Sequence, residues 1–339
     1  MSTPPGEGGE GASSFFERRP FPEDLSLAGL FYPNPRYPYF QPGPRLGLDA
    51  GAPAFSPVNA WWLAEAVMLA YLDGAPAASA PGVLEGRLRR AGLEAVGFFH
   101  RGDDRASTQG FLAHNDDTAV LVFRGTEPHS LPRFLKDLRT DLDVALVPWP
   151  GGGAVHQGFR HALDLVWDLV GDRLRALAAT PRRTLWFAGH SLGGALALLA
   201  VARFLAENPA VAPARCRVYT FGAPRVGDAR FARRFPVRCH RVVNGCYLVT
   251  RVPPPWLVGY THVGTRHFLT RTGNCLEDPP RPILRRERRA GRRAYGPLVR
   301  RGWRRGALDT VPARDLADHA PILYVTHLWN HLASRLSHG

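Results

Sequence analysis

The sequence predicts an α/β fold in which a mostly parallel central sheet is flanked by helices. Short β-prone runs alternate with longer helical patterns between residues 110 and 243, which is typical of strand–helix–strand units and a parallel sheet. The run at residues 119–123 is apolar throughout, as a strand covered on both faces should be. The third observation is a strand, a sharp turn and a buried helix in direct succession over residues 183–205.

The individual elements follow from local patterns. Helices are predicted at residues 60–72, 84–91 and 196–205, with two more inside 156–180 and 311–336. Strands are predicted at residues 110–114, 119–123, 183–186, 217–221 and 240–243. Arg124-Gly125-Thr126 ends the second of these strands. Because ligands of open α/β sheets bind at the carboxyl ends of the strands, we expect this turn to border a site.

The chain divides into an arm and a domain. Residues 1–54 form an N-terminal arm rich in proline and aromatic residues, with residues 1 to about 24 expected to be disordered. The rest of the arm is expected to extend along a neighbour or to act as a linker. Residues 55–339 form the α/β domain, which is long enough to bury a core. An arginine-rich insertion is expected within it, at about residues 279–305.

The chain is strongly basic, with a formal net charge of +14. Nucleic acid, an anionic membrane surface and acidic lipid are therefore the partners to consider. Lys136 is the single lysine among the 43 Lys and Arg residues, which favours a coding bias over selection for a binding face. We expect no specific nucleic-acid partner. The sequence leaves two roles open for the arginine-rich segment: a solvated surface, or peripheral contact with an anionic membrane. It also leaves the oligomeric state open.

Signals for export and for metal binding are weak. No apolar run reaches the roughly 18 residues of a membrane span, and residues 1–14 lack the basic start and apolar core of a secretory signal. We therefore expect a cytoplasmic protein. The four cysteines lack metal-ligand spacing, so no zinc site is expected. They are Cys216, Cys239, Cys246 and Cys275, expected to be free thiols, with a bridge from Cys275 to Cys239 or Cys246 left open.

The turn inside residues 183–205 carries the motif Gly189-His190-Ser191-Leu192-Gly193. This Gly-x-Ser-x-Gly pattern between a strand and a helix is the nucleophile elbow of α/β-hydrolases. A serine on so tight a turn lies in strained backbone, and side chains two residues away on either side would collide. Gly189 and Gly193 remove those side chains. The helix that follows directs its N-terminal amides at the serine, where they can stabilise a developing negative oxygen.

Six segments together resemble the class 3 lipase family, the fungal-lipase type of α/β-hydrolase. They lie at residues 108–111, 122–126, 155–159, 189–194, 220–228 and 251–254, in the family's order. The resemblance implies that Ser191 is the nucleophile. It implies that Leu192 and Thr126 form the oxyanion hole, with Asp137 holding the Thr126 hydroxyl. The family's lid corresponds to residues 127–137.

The resemblance also implies positions for the base and the acid of a catalytic triad. Hydrolase order places the base late in the chain. The candidates are His262, His267, His319, His327 and His331, of which His319 matches the family's terminal His-x-x-x-x-Tyr pattern. The acid position falls on Tyr247, whose neutral phenol cannot stabilise an imidazolium as a carboxylate does. The candidates for a substitute acid are Asp278, Asp309 and Asp315. Asp318 is next to His319 in the sequence and is therefore poorly directed toward its ring.

The elbow predicts a serine hydrolase, and the resemblance implies a carboxylester hydrolase that acts on acylglycerols or related lipid esters through an acyl-enzyme on Ser191. No metal or cofactor is required for that chemistry. Activity is expected to be reduced because Tyr247 stands at the acid position. The alternative is a catalytically inactive lipid- or surface-binding pseudo-hydrolase that kept the fold and lost the acid.

Overall fold

The computed structural model describes most of the chain, with ten gaps. The described residues are 17–32, 37–41, 46–72, 82–126, 145–245, 249–256, 259–307, 310–311 and 314–336. The expected lid at residues 127–137, together with Asp137, lies outside them, as do Cys246, Tyr247 and Asp309. Within the described part, no helix has the length and apolar character needed to cross a bilayer.

Helices and strands alternate through the described chain. The helices are α1 (Leu27–Phe31), α2 (Pro57–Leu69), α3 (Val83–Arg90), α4 (Gln157–Ala178), α5 (Leu192–Glu207), α6 (Ala229–Arg234), α7 (Arg281–Arg304), α8 (Arg314–Ala317) and α9 (Pro321–Leu336). The strands are β1 (Glu94–Gly102), β2 (Ser107–His114), β3 (Thr118–Phe123), β4 (Leu146–Pro148), β5 (Ala154–His156), β6 (Thr184–His190), β7 (Cys216–Phe221), β8 (Gly227–Asp228), β9 (Cys239–Asn244), β10 (Tyr260–Thr261), β11 (Thr265–Leu269) and β12 (Cys275–Glu277).

Eight strands form the central sheet, in the order β1-β2-β3-β6-β7-β9-β11-β12. The inner pairings from β3 to β11 are parallel, as predicted. The edges are antiparallel, because β1, β2 and β12 run antiparallel to their neighbours. Most of β1 is exposed or half-buried, so it lacks the apolar alternation that would have marked it as a strand. The sheet is therefore mixed, with a parallel centre.

Alternate side chains of the inner strands belong to two separate hydrophobic cores, one on each face of the sheet. On β3, Leu121 and Phe123 pack with α4 and α5, whereas Val120 and Val122 pack with α2 and α9. This follows from the two-residue period of a strand, whose successive side chains point to opposite faces. It also explains why residues 119–123 are apolar at every position, since both faces of the strand are covered.

Residues 17–24 are the described part of the segment that was expected to be disordered, and Arg19 anchors them on the domain. Arg19 forms an ion pair of 2.7 Å with Glu65, a fully buried carboxylate of α2. Its backbone N–H donates to the side-chain oxygen of Asn330 on α9 at 2.7 Å, and its guanidinium lies over the ring of Trp329. The sequence concealed this anchor, because these contacts join Arg19 to residues that are far from it along the chain.

The arginine-rich insertion is the helix α7, which lies against α8. Its buried face consists of Leu284, Gly291, Tyr295 and Val299. The hydroxyl of Tyr295 donates to the carbonyl oxygen of Val311 at 2.7 Å. Two arginines of α7 bind the carboxylate of Asp315 on α8. The insertion is therefore docked on the short helix that comes directly before His319.

Three cysteines are free thiols in the part that the structure describes. They are Cys216, Cys239 and Cys275. The bridge between Cys239 and Cys275 that the sequence left open is therefore not formed. Burial raises the pKa of all three thiols to about 12, which keeps them protonated and unreactive.

Candidate active site

The candidate nucleophile stands where a strand ends and a helix begins. Strand β6 ends at His190 and helix α5 begins at Leu192, so Ser191 is the single residue between them. Its φ of 54° and ψ of −126° are strained for a residue with a side chain. Single strained residues persist only where their surroundings hold them, and they cluster at active sites. The strand–turn–helix predicted from the sequence is present, with the serine at the turn.

Two glycines permit this turn. A Cβ atom on Gly189 would collide with the carbonyl oxygen of Gly193 one helical turn away. A Cβ atom on Gly193 would collide with the carbonyl oxygen of Phe123, the last residue of β3. Each contact is with backbone, which cannot rotate aside. The motif's glycines are therefore fixed by close approach, as the steric interpretation of the sequence predicts.

His319 lies between α8 and α9 and packs beside the elbow. Its ring centroid is 4.4 Å from that of His190. Strand β7 connects the two sides: Phe221 at its end accepts the backbone N–H of Ser191 at 2.9 Å, and Gly222 follows. A Cβ atom on Gly222 would lie 2.9 Å from Nδ1 of His319. The structure therefore places the expected base and nucleophile around the same strand end.

No hydrogen bond joins Ser191 to His319 in this structure. The Ser191 hydroxyl and both ring nitrogens of His319 are buried, and none of the described residues bonds any of the three atoms. Buried polar atoms are almost always paired, so three unpaired ones in one place indicate a functional site. Catalytic hydrogen bonds of unliganded enzymes are often long and tighten when substrate binds. The arrangement is that of a nucleophile and base without their reaction partner.

The environment keeps the base neutral. Burial holds the pKa of His319 well below its usual value, and the neighbouring His190 lowers it further. A neutral imidazole is the form that accepts a proton from a serine. A bonded carboxylate would act in the opposite direction, because it favours the charged imidazolium. The lowered pKa thus reflects burial and the neighbouring imidazole.

The acid position lies at the end of a neighbouring strand. Tyr247, to which the resemblance assigns it, is outside the described residues. Asn244, the last residue of β9, donates from its side-chain amide to the backbone oxygen of Asp318 at 3.0 Å. Because Asp318 immediately precedes His319, this bond ties the strand end before the acid position to the segment that carries the base.

None of the described substitute carboxylates reaches the base. The sequence offers Asp278, Asp309, Asp315 and Asp318, of which Asp309 lies outside the described residues. The other three pair with arginines instead: Asp278 and Asp318 with one each, and Asp315 with two. Asp318 is buried, and burial raises its pKa while its partner Arg314 lowers it. A compensating carboxylate is therefore not found in the described part of the chain.

The expected oxyanion donors come from two chain segments that meet at the elbow. Leu192 is the first residue of α5, so its amide lies at a helix N-terminus. Thr126 follows Gly125, on which a Cβ atom would lie 3.0 Å from the Cβ atom of Ser191. The Thr126 hydroxyl is buried and bonds to none of the described residues. Asp137, expected to hold that hydroxyl, lies outside them.

The other late histidines are engaged elsewhere. They are His262, His267, His327 and His331. Three of them hydrogen-bond to groups away from the elbow, and the fourth, His327, packs its ring on Phe21. No group of three or more His, Cys, Asp or Glu side chains that could hold a metal ion occurs among the described residues.

Sequence reasoning missed three residues that surround the base. The phenol of Tyr71 bonds to Nδ1 of His190 at 2.7 Å, and Nε2 of His190 bonds to the backbone oxygen of His319 at 2.6 Å. Phe31 of the arm packs its ring 6.4 Å from both imidazoles. Only His190 carried a signal, since a polar side chain in a buried strand beside the nucleophile must find partners.

Comparison with known proteins agrees with this geometry. A family model described as Lipase (class 3) matches residues 120–256, which contain five of the six segments behind the resemblance. Over this span the chain is similar to the class 3 lipase family. The matched span includes the elbow and both oxyanion positions. His319, α7 and the N-terminal arm lie outside it.

Curated relatives are similar to the central part of this chain. The lipase of Rhizomucor miehei is 33% identical over 171 residues, which cover 48% of this chain and 45% of that protein. The toxin TseL of Vibrio cholerae is 30% identical over 193 residues, covering 46% and 29%. The chain therefore spans less than half the length of these curated relatives.

Solved structures confirm the predicted α/β-hydrolase fold. Lipase II from Rhizopus niveus aligns with a TM-score of 0.51 at 25% identity, covering 62% of this chain and 78% of that one. A deletion mutant of Rhizomucor miehei lipase in its propeptide complex aligns with a TM-score of 0.54 at 23% identity, covering 78% and 85%. The second likeness shows the fold alone.

Gly222→Ala is predicted to displace the base. Gly222 has a φ of +62°, and its added Cβ would lie 2.6 Å from the Tyr324 hydroxyl and 2.9 Å from Nδ1 of His319. Since a misplacement of about 1 Å can lower rates about 100-fold, we expect at least that fall in the rate at which a fluorophosphonate labels Ser191. Gly92→Ala is the control, because Gly92 has a φ of +72° with nothing within 4 Å. Equal labelling rates in the two variants would contradict the prediction.

Proposed function

We propose that the protein is a serine carboxylester hydrolase that acts on acylglycerols or related lipid esters. The observation that carries this proposal is the strained Ser191 at the elbow, with a buried, neutral His319 packed beside it. The names of relatives supply the substrate class. They include the Rhizomucor miehei lipase and the secreted mono- and diacylglycerol lipase A of Penicillium cyclopium, which is 29% identical over 176 residues.

The proposed reaction proceeds through an acyl-enzyme. The Ser191 oxygen attacks the acyl carbonyl while His319 takes its proton, and the carbonyl oxygen becomes negative between the amides of Thr126 and Leu192. The carbon–oxygen bond to the alcohol then breaks, and His319 returns the proton to the departing alcohol. Water repeats the sequence on the acyl-enzyme, with His319 again accepting and returning the proton, which releases the fatty acid and frees Ser191.

Turnover depends on what supports the imidazolium that forms at His319. Loss of the triad carboxylate in a serine protease lowers turnover by about four orders of magnitude. With Tyr247 at the acid position and no described carboxylate on the ring, we expect slow hydrolysis. The lowered pKa of His319 favours the same conclusion. A lipid-binding pseudo-hydrolase is the second candidate, and this unsupported base is the observation that favours it.

We further propose that α7 is the surface that contacts anionic lipid. Most of its arginines are exposed: Arg281, Arg285, Arg286, Arg289, Arg292, Arg293, Arg300, Arg301 and Arg304. Four of them, Arg286, Arg293, Arg300 and Arg304, share the face opposite the buried residues, because they recur at seven- and four-residue steps. Glu287 is the helix's one acidic residue, and it accepts the backbone N–H of Arg271. A dense positive stripe of this kind is attracted to anionic headgroups.

Ser191→Ala is predicted to abolish covalent labelling by a fluorophosphonate. It should also lower the rate of hydrolysis of a short-chain acylglycerol at least about 1000-fold, because replacing one residue of a catalytic unit removes most of the rate that the unit provides. Thr220→Ala serves as a control, since Thr220 is a small buried hydroxyl residue on β7. Labelling that persists in Ser191→Ala would remove the serine from its proposed role.

Tyr247→Asp is predicted to raise turnover by up to about four orders of magnitude, because it restores a carboxylate at the family's acid position. Tyr247→Phe is the matched control, as it keeps the ring and adds no charge. Turnover is measured on the same acylglycerol, with thermal unfolding as the check on the fold. Brisk wild-type hydrolysis that Tyr247→Asp does not improve would show that another acid already serves.

Replacing the four arginines of the α7 stripe with glutamine is predicted to weaken vesicle binding at least about 100-fold, since each basic residue near an anionic surface contributes about 1 kcal/mol. Sedimentation with vesicles of phosphatidylserine and phosphatidylcholine measures the affinity. The control replaces four exposed arginines away from α7, namely Arg89, Arg90, Arg105 and Arg233. Equal losses in both variants would assign binding to total charge rather than to this helix.

A further inference from the structure

Three buried groups from distant parts of the chain form one hydrogen-bonded series. The phenol of Tyr71, which follows α2, lies 2.7 Å from Nδ1 of His190. Nε2 of His190 lies 2.6 Å from the backbone oxygen of His319. These pairs are separated by 119 and 129 residues along the chain. The series therefore joins the helix α2, the elbow strand and the segment that carries the base.

The direction of each hydrogen bond is determined by the groups present. A backbone carbonyl oxygen only accepts, so Nε2 of His190 must carry a proton and donate to His319. Burial lowers the pKa of His190 to about 3, so its ring is neutral and Nδ1 has a lone pair. Tyr71 must therefore donate its hydroxyl proton to Nδ1.

The series also reaches the segment that carries the expected oxyanion donor. Gly125 directly precedes Thr126. A Cβ atom on Gly125 would collide with the Tyr71 hydroxyl, and it would lie 2.6 Å from the carbonyl oxygen of His190 and 3.0 Å from the Cβ atom of Ser191. One set of buried contacts thus fixes the relative positions of the oxyanion turn, the nucleophile elbow and the base.

The surroundings exclude water from the series. Tyr71, His190 and His319 are all at most 1% exposed. Phe31 of the N-terminal arm packs its ring 6.4 Å from each of the three rings. In a dry environment an unpaired polar group is costly, so each member of the series depends on the others to remain bonded.

We propose that Tyr71 and His190 are positioning residues that hold His319 against the elbow. His190 does so by donating a hydrogen bond to the backbone carbonyl of His319, and Tyr71 by hydrogen bonding to His190. The proposal rests on the proposed hydrolase function. In a triad a carboxylate bonded to the imidazole orients the base, and no described carboxylate bonds this one. The series orients the base from its backbone side instead. It leaves both ring nitrogens of His319 unengaged by described residues, so one is available to the serine.

Tyr71→Phe is predicted to lower kcat by about 10- to 100-fold, the loss typical when an outer-shell hydrogen bond that orients a functional group is removed. The variant deletes one oxygen atom, leaving Nδ1 of His190 unpaired. KM should stay within about twofold, because no substrate contact changes. Tyr219→Phe is the matched control, since its buried hydroxyl accepts a backbone N–H from Ser56 at 3.3 Å.

The His190 side of the series has its own test. His190→Leu is expected to lower kcat as Tyr71→Phe does. His190→Gln should have a higher kcat than His190→Leu, because the glutamine amide can still donate to the carbonyl of His319. Nitrogen NMR of labelled histidine in the wild type should show Nε2 of His190 protonated and Nδ1 unprotonated. Protonation of Nδ1 instead would overturn the proposed direction of the series.

The outcomes separate this inference from the function on which it rests. A wild type in which Ser191 takes no fluorophosphonate removes the hydrolase function and, with it, the role of these residues. If the wild type is labelled and Tyr71→Phe is labelled as fast at equal thermal stability, the hydrolase stands and the positioning role is wrong. A crystal structure of Tyr71→Phe with His319 unmoved would also overturn the role, even if the variant were less stable.

Discussion

One strained residue at the carboxyl end of a parallel sheet organises this protein. Ser191 has a positive φ, and it keeps that conformation because the strand before it, the helix after it and the end of β3 close around it with glycine at each contact. The requirement for close backbone approach at Gly189, Gly193 and Gly125 leaves few sequences that can form the turn. The site is therefore a consequence of how closely three backbone segments approach each other.

Burial shapes the chemistry of the site as much as the choice of residues does. His190 and His319 are both excluded from water, and both have pKa values below their usual range because the charged form is poorly solvated there. A neutral base is ready to accept a proton, but its charged form receives no described counter-charge. The same dry environment makes the bonds from Tyr71 through His190 strong and directional. Burial and hydrogen bonding therefore act together on His319, and no carboxylate among the described residues bonds its ring.

Regions outside the matched lipase span complete the structure around that span. The arm supplies Phe31 to the wall of the base and is anchored through Arg19 on Glu65. The insertion α7 holds α8 through Asp315, and α8 leads directly to His319. The arm and α7, which both lie outside the matched span, thus support the segment that carries His319, the expected base.

The sequence by itself determined the strand–turn–helix at Ser191, the apolar inner strands and the place of His319 near the chain end, because local spacing and steric limits dictate them. It could not reveal β1, whose exposed edge lacks apolar alternation, or the anchor of the arm, which is the set of contacts from Arg19 to Glu65, Asn330 and Trp329. Nor could it pair Tyr71 with His190, or His190 with the backbone of His319. Those contacts join residues more than a hundred positions apart, so only the folded sheet and its covering helices decide which buried polar groups meet.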